Sequence, residues 1–492
     1  MRLRPAHLID FYKSGHLYQY PNDVEVVFSN LTPRMSRLPG VDKVVFYGFQ
    51  YFIQEYLVEQ FNKNFFDIPW RIIESEYKDR MDFALGEDIV KVDHIRELHD
   101  LQYLPICIKA VAEGSRVDLR VPCMVIYNTD KRFYWLTNYF ETMLSASVWG
   151  MCTSATMALE YKTILNDYAD RTVGNRDFVQ FQGHDFSMRG MFGIEASIMS
   201  GSAHLTSFVG TDTVPAIDFL EDYYGANCRE ELIGCSVPAT EHAVMCLHGD
   251  ADERGTINEL ITQRYPSGII SIVSDTWDFW EVITQHLPAL YDNIMARNGK
   301  VVVRPDSGDP ADIICGTARG QGGEWQTPEH KGAIECLWET FGGTVNEKGY
   351  KELDSHIGLI YGDSITLDRC RDICKRLEAK GFASTNVVFG IGSYTYQYTT
   401  RDTYGFAVKA TYAEVDGEPR EIFKKPKTDN GMKNSAKGLT AVWQGSDGDF
   451  ELHDQTDWDE VSNCALQTVF ENGKEYNTQT LDDVRQTILR SS

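Results

Sequence analysis

Four short runs of aliphatic residues each end in Asp, Arg or Gly, the residue types from which sugar and phosphate sites are built. The runs are GIISIVSDTWD (268–278), KVVVRPDSGDP (300–310), HIGLIYGDSIT (356–366) and NVVFGIGSY (386–394). Their ends carry Asp275, Arg304, Asp306, Gly362, Asp363, Gly390 and Gly392. Carboxylates bind ribose hydroxyls or Mg²⁺, and an Arg beside them binds phosphate. Two carboxylates also suit glycoside hydrolysis, whereas a metal hydrolase would combine His with carboxylate ligands.

The elements that must position these residues are buried strands. Each run is continuously β-branched or aliphatic, as strands that are covered on both faces require. Spacings of roughly 25 to 55 residues leave room for a crossover helix each time, which favours a (β/α) barrel or a doubly wound sheet. The carboxyl ends of such strands open onto one mouth, so we expect the polar ends to meet there. The alternative for any one strand is that its Asp and Gly only cap the following helix.

Two further stretches hold groups that suit a flat ring. GHDFSMRG (183–190) places Phe186 before Arg189, so the Phe could stack on a ring while the Arg binds an anion or a ring substituent. The plain alternative is a core Phe and a surface Arg. GTDTVPA (210–216) places Asp212 in a turn, where it is most simply a helix cap.

A histidine and two lysines complete the candidates. His242 lies in SVPATEHAVM (236–245) and has the side chain best suited to switching charge near neutral pH, although a lone His is usually structural. GFAVKATYAEVDGEPREIFKKP (405–426) predicts a hairpin that carries Lys409 and Lys424. Lysines on strands are most often solvated edge charges.

The composition of the whole chain bounds its class. Its 492 residues suffice for two domains or one elaborated α/β unit. The 47 basic and 72 acidic residues give a net charge of −25, which argues against nucleic acid or an anionic membrane as the main partner. The 11 cysteines are scattered, and Cys370 with Cys374 has no second pair nearby to complete a zinc set. Without an apolar signal region or a run of roughly 18 apolar residues, we expect a soluble, cytoplasmic protein.

The rest of the chain mixes element types. VEVVFSN (24–30) alternates weakly like a strand, and residues 44–61 have the apolar spacing of an amphipathic helix. Residues 105–128 predict strands around a turn at 113–115, and residues 131–167 predict one or two buried helices. Two segments suggest mobile loops, namely 316–332 and 424–438.

Taken in order, the motifs of this chain resemble those of the nicotinamide phosphoribosyltransferase family over nearly its whole length. The stretches that carry the resemblance are DFYKSGHLYQYP (10–21), VVFYGFQY (44–51), NTDKRFYWLTNYFET (128–142), HDFSMRG (184–190), SGSAHLTSFVGTDTV (200–214), SVPATEH (236–242), VSDTWD (273–278), VVRPDSGDP (302–310), GDSI (362–365), TRDTYGFAVK (400–409) and ENGK (471–474). The resemblance implies an irregular α/β barrel in residues 151–394. It also implies an α+β domain built from both chain ends, 1–150 and 395–492.

The family resemblance also implies an activity. Members transfer the phosphoribosyl group of phosphoribosyl pyrophosphate to nicotinamide, which gives nicotinamide mononucleotide and pyrophosphate in NAD salvage. They use Mg²⁺, couple the reaction to ATP through a phosphorylated histidine, and work as homodimers with composite active sites. No residue of this chain is assigned as a metal ligand.

The site residues follow from the resemblance by position. The ring would lie between Phe186 and the partner subunit's Tyr12, with Arg189 and Asp212 on its substituent, and His242 would be the phosphorylated residue. The residues expected around the ribose, phosphate and pyrophosphate are Asp275, Arg304, Asp306, Gly362, Asp363, Gly392, Arg34, Arg401, Lys409 and Lys424. The chain departs from the family pattern at two places. Ser187 and Met188 stand where Gly and Tyr are common, and Ser393 and Tyr394 stand where glycines are common. The loop that carries Arg34 is also short.

Three alternatives remain open. A nicotinate phosphoribosyltransferase would share the fold, but it must accept a ring carboxylate, which the carboxylate of Asp212 would repel. A non-catalytic binding protein could keep the fold, although it would not need the full set of Asp275, Arg304, Asp306 and His242. A carbohydrate-active barrel explains the carboxylates but not the cationic residues.

Overall fold

The computed structural model of the chain describes residues 2–317, 327–362, 364–423, 436–446 and 448–490. The chain divides into two compact units. The first unit comprises residues 1–156, 219–226 and 399–492, and the second comprises residues 157–218 and 227–398. No helix within the described ranges is both long enough and apolar enough to span a membrane.

The first unit is built on an antiparallel sheet that takes strands from both ends of the chain. In sheet order its seven strands are Glu418–Glu421, Ala407–Val415, Val24–Thr32, Met124–Asn128, Ile106–Ala110, Gln467–Glu471 and Lys474–Glu475. Ile106–Ala110 is buried along its whole length, and its one charged residue, Lys109, donates a hydrogen bond of 3.0 Å to the carbonyl of Ser462. Two smaller antiparallel sheets of two strands pair Lys43–Val45 with Arg116–Asp118, and Leu439–Gln444 with Phe450–Thr456.

Helices cover this sheet and close an aromatic core. They are Phe11–Ser14, Phe49–Tyr51, Trp70–Leu85, Asp93–Leu101, Leu136–Tyr139, Trp458–Asn463 and Leu481–Arg490. The helix Phe49–Tyr51 continues as the π-helical segments Phe52–Gln60 and Asn62–Phe66. The helix Glu141–Thr172 begins in the first unit and ends in the second.

The second unit is a parallel sheet that its own chain closes into a barrel. In sheet order the six strands are Gly210–Thr211, Gly183–Asp185, Val387–Ile391, Ile357–Tyr361, Asn298–Arg304 and Ser267–Val273. Every pair is parallel. The segment 235–239 joins the two edges, because Cys235 forms a bridge to Gly210 and Ala239 forms one to Ser271. We call residues 235–239 the closing segment.

Helices between the strands supply the crossover connections that parallel pairing requires. The α-helices wholly within this unit are Val179–Gln182, Ile194–His204, His242–His248, Glu253–Glu259, Phe279–Glu281, Leu287–Ala289, Tyr291–Met295, Pro310–Cys315, Pro328–Lys331, Ala333–Phe341, Leu367–Ala379 and Ser393–Tyr396. A two-stranded hairpin pairs Gly343–Val345 with Lys351–Leu353. Cys370 and Cys374 are buried free thiols on one face of the helix Leu367–Ala379.

The sequence predicted the fold class and all four long barrel strands. The closure by residues 235–239 favours the barrel over the doubly wound sheet. The predicted helix over 44–61 was wrong at its start, because Lys43–Val45 is a strand and Gly48, with a φ of 94°, turns the chain before the helix begins at Phe49. The end of the loop predicted at 316–332 forms the short helix Pro328–Lys331, and residues 318–326 and 424–435 lie outside the described residues.

Candidate active site

Two carboxylates meet at the carboxyl ends of neighbouring barrel strands. Asp275 follows the strand Ser267–Val273, and its Oδ2 accepts hydrogen bonds from the backbone N–H groups of Asp306 and Ser307, each at 2.8 Å. The hydroxyl of Ser307 donates a third bond to the same oxygen at 2.7 Å. The side chain of Asp275 is 3% exposed, whereas that of Asp306 is 39% exposed. Asp275 therefore fixes the turn, and Asp306 faces the mouth.

His242 and Arg304 lie at the same mouth. His242 Nε2 is 3.8 Å from Asp275 Oδ1 and 3.6 Å from Asp306 Oδ2. Its Nδ1 is 3.1 Å from the hydroxyl of Thr276. Arg304 donates from one terminal nitrogen to the carbonyl of Thr240 at 2.6 Å, which anchors the guanidinium beside the closing segment. The imidazole is thus held among three oxygen-bearing side chains while half of its surface stays exposed.

A glycine makes room for the exposed carboxylate. A Cβ at Gly362 would lie 2.4 Å from Asp306 Oδ1, closer than any real contact allows. Gly362 itself donates through its backbone to the carbonyl of Pro305 at 3.3 Å. The position after the strand Ile357–Tyr361 therefore has to be glycine if Asp306 is to keep this orientation. Asp363, predicted beside it, lies outside the described residues.

An aromatic pocket opens beside the carboxylates. Phe186 follows the strand Gly183–Asp185, and its backbone N–H donates to the carbonyl of Ile391 at 3.0 Å. A Cβ on Gly390 would lie 2.7 Å from Phe186 Cδ2, so the glycine makes room for the ring. The ring of His184 lies 4.6 Å from the Phe186 ring, measured between centroids. One strand end thus presents two aromatic faces.

Asp212 is held by two side chains rather than capping a helix. His184 Nε2 lies 2.9 Å from Asp212 Oδ1, and the hydroxyl of Ser236 donates to the same oxygen at 2.6 Å. Burial acts to raise the pKa of Asp212, but the hydrogen bonds from His184 and Ser236 and the charge of Arg304 outweigh burial and hold that pKa below its usual range. Asp212 is therefore an ionised acceptor beside the aromatic pocket.

A cavity of about 360 Å³ runs inside the barrel from this pocket. Its wall combines Phe186, His184, Asp212 and Arg304 with apolar strand residues such as Val302. The volume is within the range of small-molecule sites.

A buried carboxylate supports the pocket from behind. Asp185 is fully buried, accepts the backbone N–H of Ser187 at 2.9 Å, and accepts the hydroxyl of Thr213 at 2.6 Å. These bonds tie the turn after Phe186 to the turn after Asp212. Ser187 and Met188, which depart from the family pattern, lie in the first of these turns.

Arg189 and Gly392 complete the predicted residues of the second unit. Arg189 is exposed and shares a surface depression with Phe186 and Asp212. Gly392 precedes the helix Ser393–Tyr396 and has open space where a Cβ would project. Ser393, which stands where the family often has glycine, packs against Gly190, where a Cβ would lie 2.1 Å from its hydroxyl.

Four of the predicted residues that the structure describes belong to the first unit. Tyr12 and Lys409 line one open pocket there, and the Tyr12 side chain is 58% exposed. Beside them Lys13 is buried and forms an ion pair with Glu141. Arg34 donates from its Nε to the carbonyl of Gly405 at 2.9 Å. The fourth, Arg401, is exposed, and Lys424 lies outside the described residues.

The carboxylates fit a divalent cation that arrives with a polyphosphate. Asp275 Oδ1 is buried and accepts no hydrogen bond from a described residue, which leaves one carboxylate oxygen free beside Asp306. Within the described ranges no group of three or more His, Cys, Asp or Glu side chains forms a metal cage. Mg²⁺ is ordinarily held by one or two carboxylates together with substrate phosphates, which matches this pair.

Sequence reasoning missed the roles of His184 and Ser236. His184 stands 28 residues before Asp212, and Ser236 stands 24 residues after it. The strands Gly183–Asp185 and Gly210–Thr211 have only three and two residues, and the segment next to Ser236 pairs through a single bridge at Cys235. Segments this short show no alternation of apolar and polar residues in the sequence. The available signal was that His184 lies two residues before Phe186 and that Ser236 begins the motif SVPATEH.

Comparison with known proteins defines the class of this chain. The profile described as the nicotinate phosphoribosyltransferase (NAPRTase) family matches residues 181–474, and the profile of the nicotinamide phosphoribosyltransferase N-terminal domain matches residues 6–98. A protein of Acinetobacter baylyi called nicotinamide phosphoribosyltransferase is 52% identical over 99% of this chain and 98% of its own length. A protein of the same name from Xanthomonas campestris is 32% identical over 97% of this chain and 96% of its own length.

Solved structures share the fold at low identity. Nicotinate-nucleotide pyrophosphorylase of Pyrococcus furiosus matches with a TM-score of 0.56 and 14% identity, over 99% of this chain and 95% of that one. Human nicotinic acid phosphoribosyltransferase matches with a TM-score of 0.54 and 15% identity, over 98% of this chain and 93% of that one. The chain is an enzyme of the pentosyltransferase class. It belongs to the nicotinate phosphoribosyltransferase (NAPRTase) family.

Proposed function

We propose that this enzyme transfers the 5-phosphoribosyl group of phosphoribosyl pyrophosphate to nicotinamide, which gives nicotinamide mononucleotide and pyrophosphate in NAD salvage. The observation that carries the proposal is the ionised carboxylate of Asp212 beside the ring of Phe186, next to Arg304 and Asp306 at the barrel mouth. An ionised acceptor suits an amide, whose NH₂ donates, and repels an acid. The name of the 52% identical relative supports the same substrate.

The base would bind at the aromatic end of the cavity. Phe186 stacks on the pyridine ring, Arg189 lies beside the ring or its carboxamide, and Asp212 accepts from the carboxamide NH₂. Phe186 is fixed for this role by its backbone bond to Ile391 and by the absence of a side chain at Gly390. The ring nitrogen attacks with its own lone pair, so the chemistry needs no general base.

The phosphoribosyl group would bind at the strand ends. Cleavage of the bond between C1 and pyrophosphate builds positive charge on the ribose, and Asp275 and Asp306 stabilise it while Asp306 also binds the hydroxyls. Arg304 binds phosphate oxygens, and the backbone at Gly362 and Gly392 approaches them closely. When Mg²⁺ is bound, it neutralises charge on the leaving pyrophosphate. Asp275 and Asp306 are the residues of this chain that would hold it.

His242 is proposed to couple ATP hydrolysis to transfer as a phosphorylated residue. Its Nε2 faces Asp275 and Asp306 within 4 Å, while its side chain remains 47% exposed and open to a nucleotide. Phosphorylation would place negative charge against these carboxylates and alter how they receive the sugar phosphate.

The active site is proposed to be shared between two copies of the chain. Tyr12 and Lys409 line one exposed pocket of the first unit, and Arg34 and Arg401 belong to the same unit. In a homodimer the partner's Tyr12 would cover the second face of the ring. The cationic side chains of that unit, Lys424 among them, would bind pyrophosphate oxygens.

A comparison of substrates distinguishes the proposed activity from the main alternative, a nicotinate phosphoribosyltransferase. Purified enzyme is given phosphoribosyl pyrophosphate and Mg²⁺ with nicotinamide, nicotinate or quinolinate, with and without ATP, and pyrophosphate release is measured. We expect the highest kcat/KM with nicotinamide and stimulation by ATP. A higher kcat/KM with nicotinate would overturn the proposal. No pyrophosphate release with any base would favour a binding protein.

A further inference from the structure

We propose that His184 and Ser236 fix the orientation and charge of the Asp212 carboxylate and thereby make this enzyme select a ring amide over a ring acid. The inference rests on the proposed function, in which Asp212 receives the carboxamide. His184 and Ser236 act as positioning residues through Asp212.

The two side chains approach one oxygen from both sides. His184 lies on the strand Gly183–Asp185, and Ser236 lies on the closing segment, so they flank the strand Gly210–Thr211 that leads into Asp212. Both contact Oδ1, at 2.9 Å and 2.6 Å. Among the described residues no side chain or backbone group donates to Oδ2, and the Asp212 side chain is 46% exposed. One oxygen is therefore occupied by the protein, and the other is left for a ligand.

The position of the His184 ring is set by its surroundings. The ring packs over Gly210, where a Cβ would lie 2.8 Å from Nδ1, and it lies 4.6 Å from the Phe186 ring. Its side chain is 11% exposed. A bond from Nε2 to a carboxylate requires a proton on Nε2, so Asp212 also fixes the position of that proton. His184 thus links the aromatic wall to the carboxylate.

The charge of Asp212 depends on the same two donors. Burial would raise the pKa of Asp212, and the bonds from His184 and Ser236 reverse that effect, with help from the charges of His184 and Arg304. An ionised Asp212 accepts from an amide and repels a carboxylate, whereas a protonated one can donate to a carboxylate. Removing a donor should therefore raise the pKa of Asp212 and admit nicotinate at a pH where the parent enzyme excludes it.

The test compares variants that delete a donor with variants that keep one. Ser236→Ala and His184→Phe each remove a donor, while Ser236→Thr and His184→Gln keep a group able to donate. We expect each deletion to lower the ratio of kcat/KM for nicotinamide to that for nicotinate by roughly tenfold or more. The KM for nicotinamide should rise while kcat at saturating nicotinamide stays near the parental value.

The pH profile distinguishes this role from general damage to the fold. In the deletion variants nicotinate use should rise as the pH falls, beginning at a higher pH than in the parent enzyme. Ser236→Thr and His184→Gln should restore the parental ratio and profile.

Two outcomes would overturn the inference in different ways. If the parent enzyme prefers nicotinamide and the deletion variants keep its ratio and pH profile, His184 and Ser236 have no part in selection and the proposed function stands. If the parent enzyme does not transfer to nicotinamide, the proposed function and the inference both fail.

Discussion

The backbone N–H of Asp306 donates a 2.8 Å hydrogen bond to the buried carboxylate of Asp275, so one acidic residue holds the turn that presents the other. The bond joins the ends of two adjacent parallel strands, Ser267–Val273 and Asn298–Arg304. A hydrogen bond to a charged group contributes about 1.5–3 kcal/mol, enough to keep the turn in one conformation. Because Asp275 fixes the turn, the exposed carboxylate of Asp306 keeps the orientation on which the first prediction depends.

Gly362→Ala should reproduce the loss of Asp306. The new Cβ would lie 2.4 Å from Asp306 Oδ1, and its three nearest neighbours are all side-chain atoms, so we expect the carboxylate to move and the fold to persist. We expect KM for phosphoribosyl pyrophosphate to rise roughly tenfold or more, measured by pyrophosphate release at saturating nicotinamide. The activity of the double variant Gly362→Ala/Asp306→Ala should be no lower than the activity of Asp306→Ala alone. Gly150→Ala, with open space around its Cβ, is the control, and additive losses would contradict the prediction.

A mixture of two damaged chains should recover high-affinity activity if the site is shared between subunits. Tyr12→Ala damages the ring face that the first unit offers, and Asp306→Ala damages the barrel mouth of the second. A heterodimer would hold one intact site and one doubly damaged site, so activity per heterodimer should approach half the parental value with parental affinity for nicotinamide. Verified subunit exchange without recovery of high-affinity transfer would show that Tyr12 serves its own chain.

His242→Ala should separate ATP hydrolysis from basal transfer. The variant lacks the imidazole that faces Asp275 and Asp306 but keeps both carboxylates and their backbone bonds. We expect loss of ATPase activity and of the gain in affinity with ATP, while slow transfer without ATP continues. His248→Ala, at the exposed end of the same helix, should behave like the parent. Equal stimulation of the His242→Ala variant by ATP would remove His242 from this role.

The stability of the protein should fall with rising pH because of Glu253. Burial, together with the nearby Glu281 and Asp278, raises the pKa of Glu253 from 4.5 to about 7, and His286 is its neighbour at 3.7 Å. Between these two pH values the folded state binds more protons than the unfolded state, so the free energy of unfolding decreases as the pH rises through about 7.

Glu253→Gln should remove that slope. Urea unfolding of the variant is expected to match the parent below pH 4.5 and to exceed it in stability above about pH 7. Glu259→Gln, on the same helix but paired with Arg264 at the surface, should keep the parental slope. Parallel stability curves for the parent and Glu253→Gln would contradict the prediction.

The long strands were predictable because their chemistry is local. Runs such as Asn298–Arg304 and Ile357–Tyr361 are continuously aliphatic, end in turn-forming residues and are spaced for crossovers, so both their type and the face of their polar ends follow from the sequence. The meeting of Asp275 with Asp306 follows from the same rule.

The contacts of Asp212 were not predictable in this way. Its turn suggested a helix cap, and the side chain instead binds His184 and Ser236 from two very short pairing segments. Strands of two or three residues carry no periodic signal, and their pairing is decided by barrel closure. The start of the helix at Phe49 was missed for a similar reason, since the three-residue strand before it has too few residues to show alternation.

Both sheets pair residues that are far apart in the chain, which bears on how the protein is made. Val24 pairs with Val415 in the first unit, and Gly183 pairs with Phe389 in the second. A ribosome must therefore release most of the chain before either of these pairs can form. Such non-local pairing folds slowly and leaves strand edges exposed in the meantime. Production of this enzyme should depend on slow synthesis or chaperones, and fragments that end before residue 387 should not yield a folded barrel.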